Sequence, residues 1–541
     1  MYAPTKNLLD GVRAAFPKQL FPWDEYFPQM AETDWLCGDG DTIAAKSFFI
    51  RQAPFGGSYA VLGGITAALA GISDLHFNDP EFKKGMLDMG YIPEFVDWLE
   101  EKGSLRLLVY APREGDLIFP NEPAVTVVGP LPDVRMAEGI LTEALNFPTL
   151  SLTKWYRLVR TVRPGKVLEF ARRRAQNHAK ATLYGILGGC FATSNSAMKE
   201  FFDFLLVGTM GHEWIQRYGD VREAFKKWLD KKPHKPIGLV DTKQCLEHDF
   251  PIWLDEVWNH REAIKNANSP SWGWRNDSGH LDYLTIEQYV KFFKHSLSKD
   301  EWFSQRMKIV LTNELDEYRA ADIISKIRKQ AGSAGLDAED IIRRIIWAAG
   351  TKPGTCDDQP SLGGVAKLME VEAHACIKLA FDEEGKPGDK TSIPGFNLSA
   401  LILDEYGDVK NCLIYPAASH KVEGGKLWDA KKNIELREAM AYSPANEAAL
   451  MIVRNYRAIP RQQLVWDSLT SRYPYGFTGD WDNPTVDEIP KRVQANVDML
   501  HWSMTQLSEP YKLKVSLTKD LFELRQRMIL NGVLREDKQK F

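Results

Sequence analysis

At 541 residues the chain exceeds what one ordinary hydrophobic core organises, so two or three packed units are expected. With 44% hydrophobic and 26% charged residues it has the balance of a folded globular protein, and a formal net charge of -5 speaks against a broad nucleic-acid-binding face. Met1 is followed by no signal-peptide pattern, and the longest uncharged stretch, Tyr59 to Ser73, is too short to span a bilayer, so no membrane segment is expected. The six cysteines lack zinc-ligand or redox spacing and read as reduced thiols of a cytoplasmic protein.

In chain order, SFFIRQAPFGGSYAVLGG reads as a strand, a Pro-Gly turn and a helix beginning near Ala60. Residues 105–130 alternate between apolar and polar and are broken by turn residues, which predicts a small antiparallel sheet. AEGILTEALNFPTLSLTKWYRLVRTV then carries apolar residues at helical spacing. In the middle of the chain, short apolar runs each end in small or polar residues: VLEFARRRAQ, FLLVGTMGHE, IGLVDT, WGWRNDSG, KIVLTNELDE and IIWAAGT. Amphipathic stretches such as REAFKKWLDKK and IEQYVKFFKHSLS separate most of them, the pattern of parallel strands with crossover helices. Polar residues at so many strand ends point to an α/β barrel, although a doubly wound open sheet would also bind its ligand at strand ends. From residue 371 the pattern turns β-rich, and LTKDLFELRQRMILNGVL predicts a terminal amphipathic helix packing back on the body. The expected division is therefore an α+β domain over 1–160, a catalytic barrel over 161–370, a β-rich unit over 371–470 and a helical segment over 471–541.

Four of the strand-end segments carry chemistry. GTMGHEW places His212 just past an apolar run, where a neutral ring nitrogen can accept and pass on a phosphoryl group; Glu213 stands ready to orient the ring, and Gly208 and Gly211 to permit close turns. A structural histidine at a helix start fits this segment about as well. RRRAQ sets three guanidinium groups, the planar forks that hold carboxylate and phosphate, after a strand, so that at least one should face a strand-end cleft. WRNDSG gathers Arg275, Asp277, Ser278 and Gly279, suited to ribose hydroxyls or to magnesium on a pyrophosphate, or simply to a turn. AAGTKPGT is a glycine-rich loop with Thr351 and Thr355, able to cradle phosphate. Together they ask for phosphoryl or phosphoribosyl chemistry on a nucleotide-like substrate.

The motifs FFIRQAPFGGSYAVLGG, FPNEP, LEFARRRAQ, TSNSA, GTMGHEW, LVDT, RNDSG, TNELDEY and DQPSLGGVAKLMEV, in that order over nearly the whole chain, resemble those of nicotinate phosphoribosyltransferases. The resemblance implies a type II phosphoribosyltransferase fold: an α+β N-terminal domain on an irregular α/β barrel, with a small β-rich C-terminal unit, as a homodimer with shared active sites. It implies ATP-dependent transfer of phosphoribosyl from phosphoribosyl pyrophosphate to nicotinate in NAD biosynthesis, with ATP as co-substrate and magnesium as cofactor. His212 would be the phosphorylated histidine and Asp277 its catalytic companion. Arg173, Arg174 and Gln176 match the family's RRAQ and are expected to contact the nicotinate carboxylate and phosphate. Ser194 and Asn195 match its S-N pair, and Thr209 sits in the histidine block. Asp241, Arg275, Asp277 and Ser278 are expected near ribose and magnesium. Asn313, Gly350 and Thr351 match the phosphate-holding end of the barrel. Tyr26 matches a tyrosine that stacks on the pyridine ring from the partner subunit. One departure is that RRAQ continues as NHAK rather than with the usual glycine.

A nicotinamide phosphoribosyltransferase shares the fold and the histidine, and differs in whether the site pairs a carboxylate. Quinolinate phosphoribosyltransferase needs no ATP and has a shorter chain. A catalytically silent nucleotide-binding relative would have no use for His212.

Overall fold

Short apolar runs in the middle of the chain form a six-stranded sheet in which every pairing is parallel. Across the sheet the strands are Ala192–Thr193, Lys166–Glu169, Ile345–Ala349, Met307–Leu311, Trp272–Asn276 and Ile237–Leu239. Lys166–Glu169, first of the set in the chain, pairs with Ile345–Ala349, the last, from Ile346 opposite Lys166 to Ala349 opposite Glu169. Adjacent first and last strands mean that the sheet wraps around, which selects the α/β barrel over the doubly wound sheet. The barrel is irregular on one side. FLLV, expected as a strand, contributes only a bridge from Leu206 to Thr193. Phe202 and Phe204 turn inward and stack, while Leu205 and Leu206 stay exposed, so the run has no second strand to pair with among the described residues. Helices Val221–Lys231, Phe250–Asn259, Leu281–Lys294 and Glu317–Ser333 stand between the strands.

The computed structural model describes all residues except 1–3, 382, 384–387, 389, 418–438, 442–450, 454–456, 471–475 and 540–541. By contacts the chain forms two units, residues 154–360 around the barrel and residues 4–153 with 361–541. The barrel unit buries Trp155, Trp253, Trp272, Trp274 and Trp347 completely in one core. Each such ring removes about 150–250 Å² from water, roughly 4–6 kcal/mol of gross burial, which leaves the strand ends free to carry polar groups.

The second unit is built on an antiparallel sheet in the order His374–Ala375, Val365–Val371, Ile43–Phe49, Val125–Pro130, Leu108–Ala111 and Gln463–Asp467. The expected sheet within 105–130 is present as the neighbouring strands Val125–Pro130 and Leu108–Ala111. The stretch after the barrel returns to this sheet, with Ala366 opposite Phe48 and Leu464 opposite Tyr110, so the expected boundaries at 371 and 471 fall inside one contact unit. A second sheet joins Arg457–Pro460, Asn397–Leu403, Val409–Pro416 and Lys514–Leu517, and Leu521 of the terminal helix packs with Ile414 and Leu517. Part of the expected β-rich stretch, 418–438, lies outside the described residues. The helix expected near Ala60 starts instead at Ile65, because Ala60–Val61 is a short strand paired with Leu117–Ile118. Gly64 caps that helix at φ 97°, where a Cβ would collide with the Ala144 carbonyl, so only glycine makes this entry.

Candidate active site

The carboxyl end of Trp272–Asn276 is locked from inside. Trp274 Nε1 and Asn276 Nδ2 both donate to Gln288 Oε1 at 2.8 Å, and Gln288 Nε2 returns a bond to Asn276 Oδ1 at 2.9 Å. This buried amide pair fixes the strand end on which Arg275 and Asp277 sit. Gly279 follows at φ 78°, a left-handed turn that ends the segment before helix Leu281–Lys294.

Three further segments converge on that end. Arg275 Nη2 lies 3.0 Å from Asp277 Oδ2, and its Nη1 donates to Thr209 Oγ1 at 3.1 Å. Thr312, just past strand Met307–Leu311, donates to the other oxygen of Asp277. Asp241 Oδ2 accepts from the Asp277 backbone N–H at 2.6 Å and from Ser278 Oγ at 2.8 Å. His212 opens helix His212–Tyr218, with Nδ1 3.0 Å from Thr242 Oγ1 and Nε2 3.7 Å from Asp277 Oδ2 and 4.0 Å from Asp241 Oδ1. The structure thus brings His212, Thr209, Asp241, Arg275, Asp277 and Ser278 together.

Electrostatics follow from this packing. Burial pushes the Asp277 carboxyl up, but Arg275 beside it and the Thr312 hydroxyl outweigh burial and hold it below its ordinary value, so it is an anion at neutral pH. Asp241 Oδ1 is buried and has no hydrogen-bond partner among the described residues, an orphan acceptor that asks for a cation or a proton donor. The Thr242 hydroxyl can accept from Nδ1, and in that tautomer the lone pair is on Nε2. A Cβ built on Gly208 or Gly211 would meet no atom within 4 Å, so open space borders this histidine. These glycines leave room rather than supplying left-handed turns, since neither has a positive φ. Thr242, not Glu213, holds the ring, and Glu213 lies exposed on the helix.

A second cluster forms past Lys166–Glu169. The buried Glu169 carboxylate accepts from the Ala171 N–H at 2.5 Å, from Thr182 Oγ1 at 3.0 Å and from Thr193 Oγ1, while burial pushes its pKa up. Asn195 is fully buried, with Nδ2 bonded to Thr182 Oγ1 at 3.0 Å and to His178 Nδ1 at 3.1 Å. Its Oδ1 accepts from Arg172 Nη1 at 3.1 Å. Ser194, Arg173, Arg174 and Gln176 are exposed. Glu169→Ala would leave the Ala171 N–H and the Thr182 and Thr193 hydroxyls without this acceptor. At about 1–3 kcal/mol per buried unsatisfied group, we expect a loss on the order of 3 kcal/mol in urea unfolding, with Glu169→Gln milder. Equal stability of Glu169→Ala and the unmutated chain would contradict this.

Asn313 takes a left-handed φ of 88° just after strand Met307–Leu311, and Gly350 caps the short helix Thr351–Thr355 at the end of Ile345–Ala349. Thr351 is exposed there, and Lys352 Nζ lies 3.1 Å from Asp316 Oδ2. No bond joins Asn313, Gly350 or Thr351 to the His212 cluster among the described residues. Tyr26 belongs to the other unit, where it begins helix Tyr26–Leu36 and is half exposed. Thr242 and Thr312, each next to a chosen residue in LVDT and TNELDE, carried no signal of their own in the sequence, nor did Glu169, Thr182, Thr193 and His178 of the second cluster.

Two family models match the chain, one described as the nicotinate phosphoribosyltransferase (NAPRTase) N-terminal domain over residues 23–146 and one as the C-terminal domain over residues 427–525. The chain is 28% identical over 513 residues to nicotinate phosphoribosyltransferase of Bacillus subtilis, covering 94% of each. It is 26% identical to that of Dictyostelium discoideum, covering 94% of this chain and 88% of the relative. The crystal structure of human nicotinic acid phosphoribosyltransferase shares the fold with TM-score 0.71 at 21% identity, covering 93% of this chain and 99% of that one.

Proposed function

The chain belongs to the nicotinate phosphoribosyltransferase family, and on that footing we propose that it transfers phosphoribosyl from phosphoribosyl pyrophosphate to nicotinate with ATP hydrolysis coupled through His212. The products are nicotinate mononucleotide and pyrophosphate, which places the enzyme in NAD biosynthesis. The observation that carries the reading is His212 itself: Nδ1 held by Thr242 and Nε2 turned toward Asp241 and Asp277.

In the first half-reaction Nε2 attacks the γ-phosphorus of ATP. An N–P bond forms, and the bond from phosphorus to the bridging oxygen breaks with its electron pair leaving on ADP. With the proton on Nδ1, the Thr242 hydroxyl accepts from it and so stabilises the charge the ring acquires. In the glycosyl transfer the pyridine nitrogen bonds to the ribose anomeric carbon as that carbon's bond to pyrophosphate breaks, the electron pair leaving with pyrophosphate. The carbon passes through an oxocarbenium-like state, so Asp241 and Asp277 as fixed anions favour it, and Arg275 keeps Asp277 ionised. Hydrolysis of phosphohistidine then returns Nε2 to its neutral form.

Magnesium suits this site, because it is usually held by one or two carboxylates together with substrate phosphates, and the orphan Asp241 Oδ1 with Asp277 supplies that donor set. It would neutralise charge on the departing pyrophosphate. We assign the reaction to the cytoplasm, in keeping with six free cysteines, and to a homodimer in which Tyr26 of one subunit serves the other's site. No described helix is long and apolar enough to cross a membrane.

The test is turnover with nicotinate or nicotinamide as acceptor, with and without ATP. Nicotinate mononucleotide should form faster with ATP, and nicotinamide should be a poor acceptor. A clear preference for nicotinamide would overturn the substrate assignment.

A further inference from the structure

The adjacent strands Ile237–Leu239 and Trp272–Asn276 carry Asp241 and Asp277 just past their ends, and the backbone ladder between them closes with the Val240 N–H donating to the Arg275 carbonyl at 3.2 Å. Beyond that bond the two loops meet through side chains, and one residue from outside holds both. Gln288 is fully buried on the face of helix Leu281–Lys294 that also buries Leu281, Thr285 and Phe292. A buried amide is costly unless its groups are bonded, and here each is used. Oε1 accepts from Trp274 Nε1 and Asn276 Nδ2, while Nε2 donates to Asn276 Oδ1 at 2.9 Å and to Cys245 Sγ at 3.1 Å. Cys245 begins the helical turn that follows Asp241 in the chain, and its thiol donates in turn to Asn276 Oδ1 at 3.7 Å. Gln288, Asn276 and Cys245 thus form a closed triangle beneath the two carboxylate loops.

We propose that Gln288 is a positioning residue that sets the spacing of Asp241 and Asp277 around His212 Nε2, by bracketing Asn276 on one strand end and Cys245 on the loop of the other. The inference rests on the reaction proposed above, in which both carboxylates act as fixed anions. Their spacing is tight. The Asp277 N–H donates to Asp241 Oδ2 at 2.6 Å, and Nε2 lies 3.7 Å from one carboxylate and 4.0 Å from the other. Two like charges gathered at one ring nitrogen repel each other, so they keep their places only on a support that does not yield. Gln288 bonds to neither carboxylate and acts through their chain neighbours. The Asn276 arm holds the residue before Asp277, and the Cys245 arm holds the far end of the Asp241 loop.

Steady-state kinetics and hydrogen exchange of the full chain test this. Cys245→Ala cuts the arm to the Asp241 loop and leaves Gln288 on Trp274 and Asn276, whereas Gln288→Leu cuts both arms. We expect kcat to fall about 10-fold in the first and about 100-fold in the second, the scale of a misplacement of about 1 Å, while the KM for nicotinate stays nearly constant. Cys245→Ser keeps an acceptor and a donor and should recover kcat. The Asp277 amide should exchange with deuterium faster in Cys245→Ala and Gln288→Leu than in the unmutated chain, and Cys245→Ser should restore its protection. A merely structural role would lower the urea midpoint without changing the kcat of the folded fraction. Unchanged kcat in both variants, an Asp277 amide that exchanges no faster in them, or equal losses in Cys245→Ala and Cys245→Ser would overturn the proposal. Should Gln288→Leu fail to fold, the two Cys245 variants decide. If the unmutated chain made no product the reaction assignment would fall, and exchange at Asp277 would then decide the bracket alone: acceleration in Cys245→Ala that Cys245→Ser reverses supports it, and no acceleration overturns it.

Discussion

His212→Ala is expected to incorporate no phosphate from γ-labelled ATP and to lose all stimulation by ATP, leaving only the unstimulated rate of nicotinate mononucleotide formation. The reason is local. Nε2 is the atom turned toward Asp241 and Asp277, and no other described nucleophilic nitrogen shares that position. The loss should be chemical rather than structural, because His212 begins a short helix, its side chain is more than a third exposed, and water can replace it at the Thr242 hydroxyl. His212→Asn sharpens the result, since an amide can still bond Thr242 but cannot carry a phosphoryl group. An unchanged ATPase rate in either variant would remove His212 from the mechanism.

Asp277→Asn should lower kcat/KM on the order of 10²–10³-fold, the usual cost of removing one preorganised electrostatic partner of a developing charge. The substitution keeps the shape and a polar contact to Thr312, but it leaves Arg275 facing a neutral amide. Its pH dependence has a definite sign. The folded carboxyl sits below its unfolded value of 3.8, so its contribution to stability is fully present above that value and is lost only as pH falls through the lower folded pKa. Any fall in activity between pH about 5 and 7 therefore belongs to another group, and should persist in Asp277→Asn. Disappearance of such an acid limb in this variant would show that Asp277 titrates higher than its neighbours allow.

Much of the barrel was legible because its strands are short apolar runs that stop at polar residues. VLEFA, IGLVDT, WGWRN, KIVLT and IIWAA all became strands of one parallel sheet. FLLV carries the same local signal but lacks a partner on one side, which only the pairing of other segments could reveal. The choice of barrel over open sheet likewise waited on the pairing of residues 166–169 with 345–349. In the site, Arg275, Asp277 and Ser278 stood out by their chemistry and Asp241 by the family resemblance, whereas Thr312 did not. Its hydroxyl reaches Asp277 only because the parallel register sets Leu311 beside Asn276. The return of residues 365–371 and 463–467 to the N-terminal sheet is a long-range pairing with no local mark.

The most direct measurement is to quench the enzyme in alkali during turnover with ATP, phosphoribosyl pyrophosphate and nicotinate, then locate phosphate on the chain by mass spectrometry while assaying the product. The expected result is nicotinate mononucleotide together with a phosphate on His212, bonded to Nε2. Nicotinate mononucleotide formed in step with ATP hydrolysis while His212 remains unmodified would contradict the account.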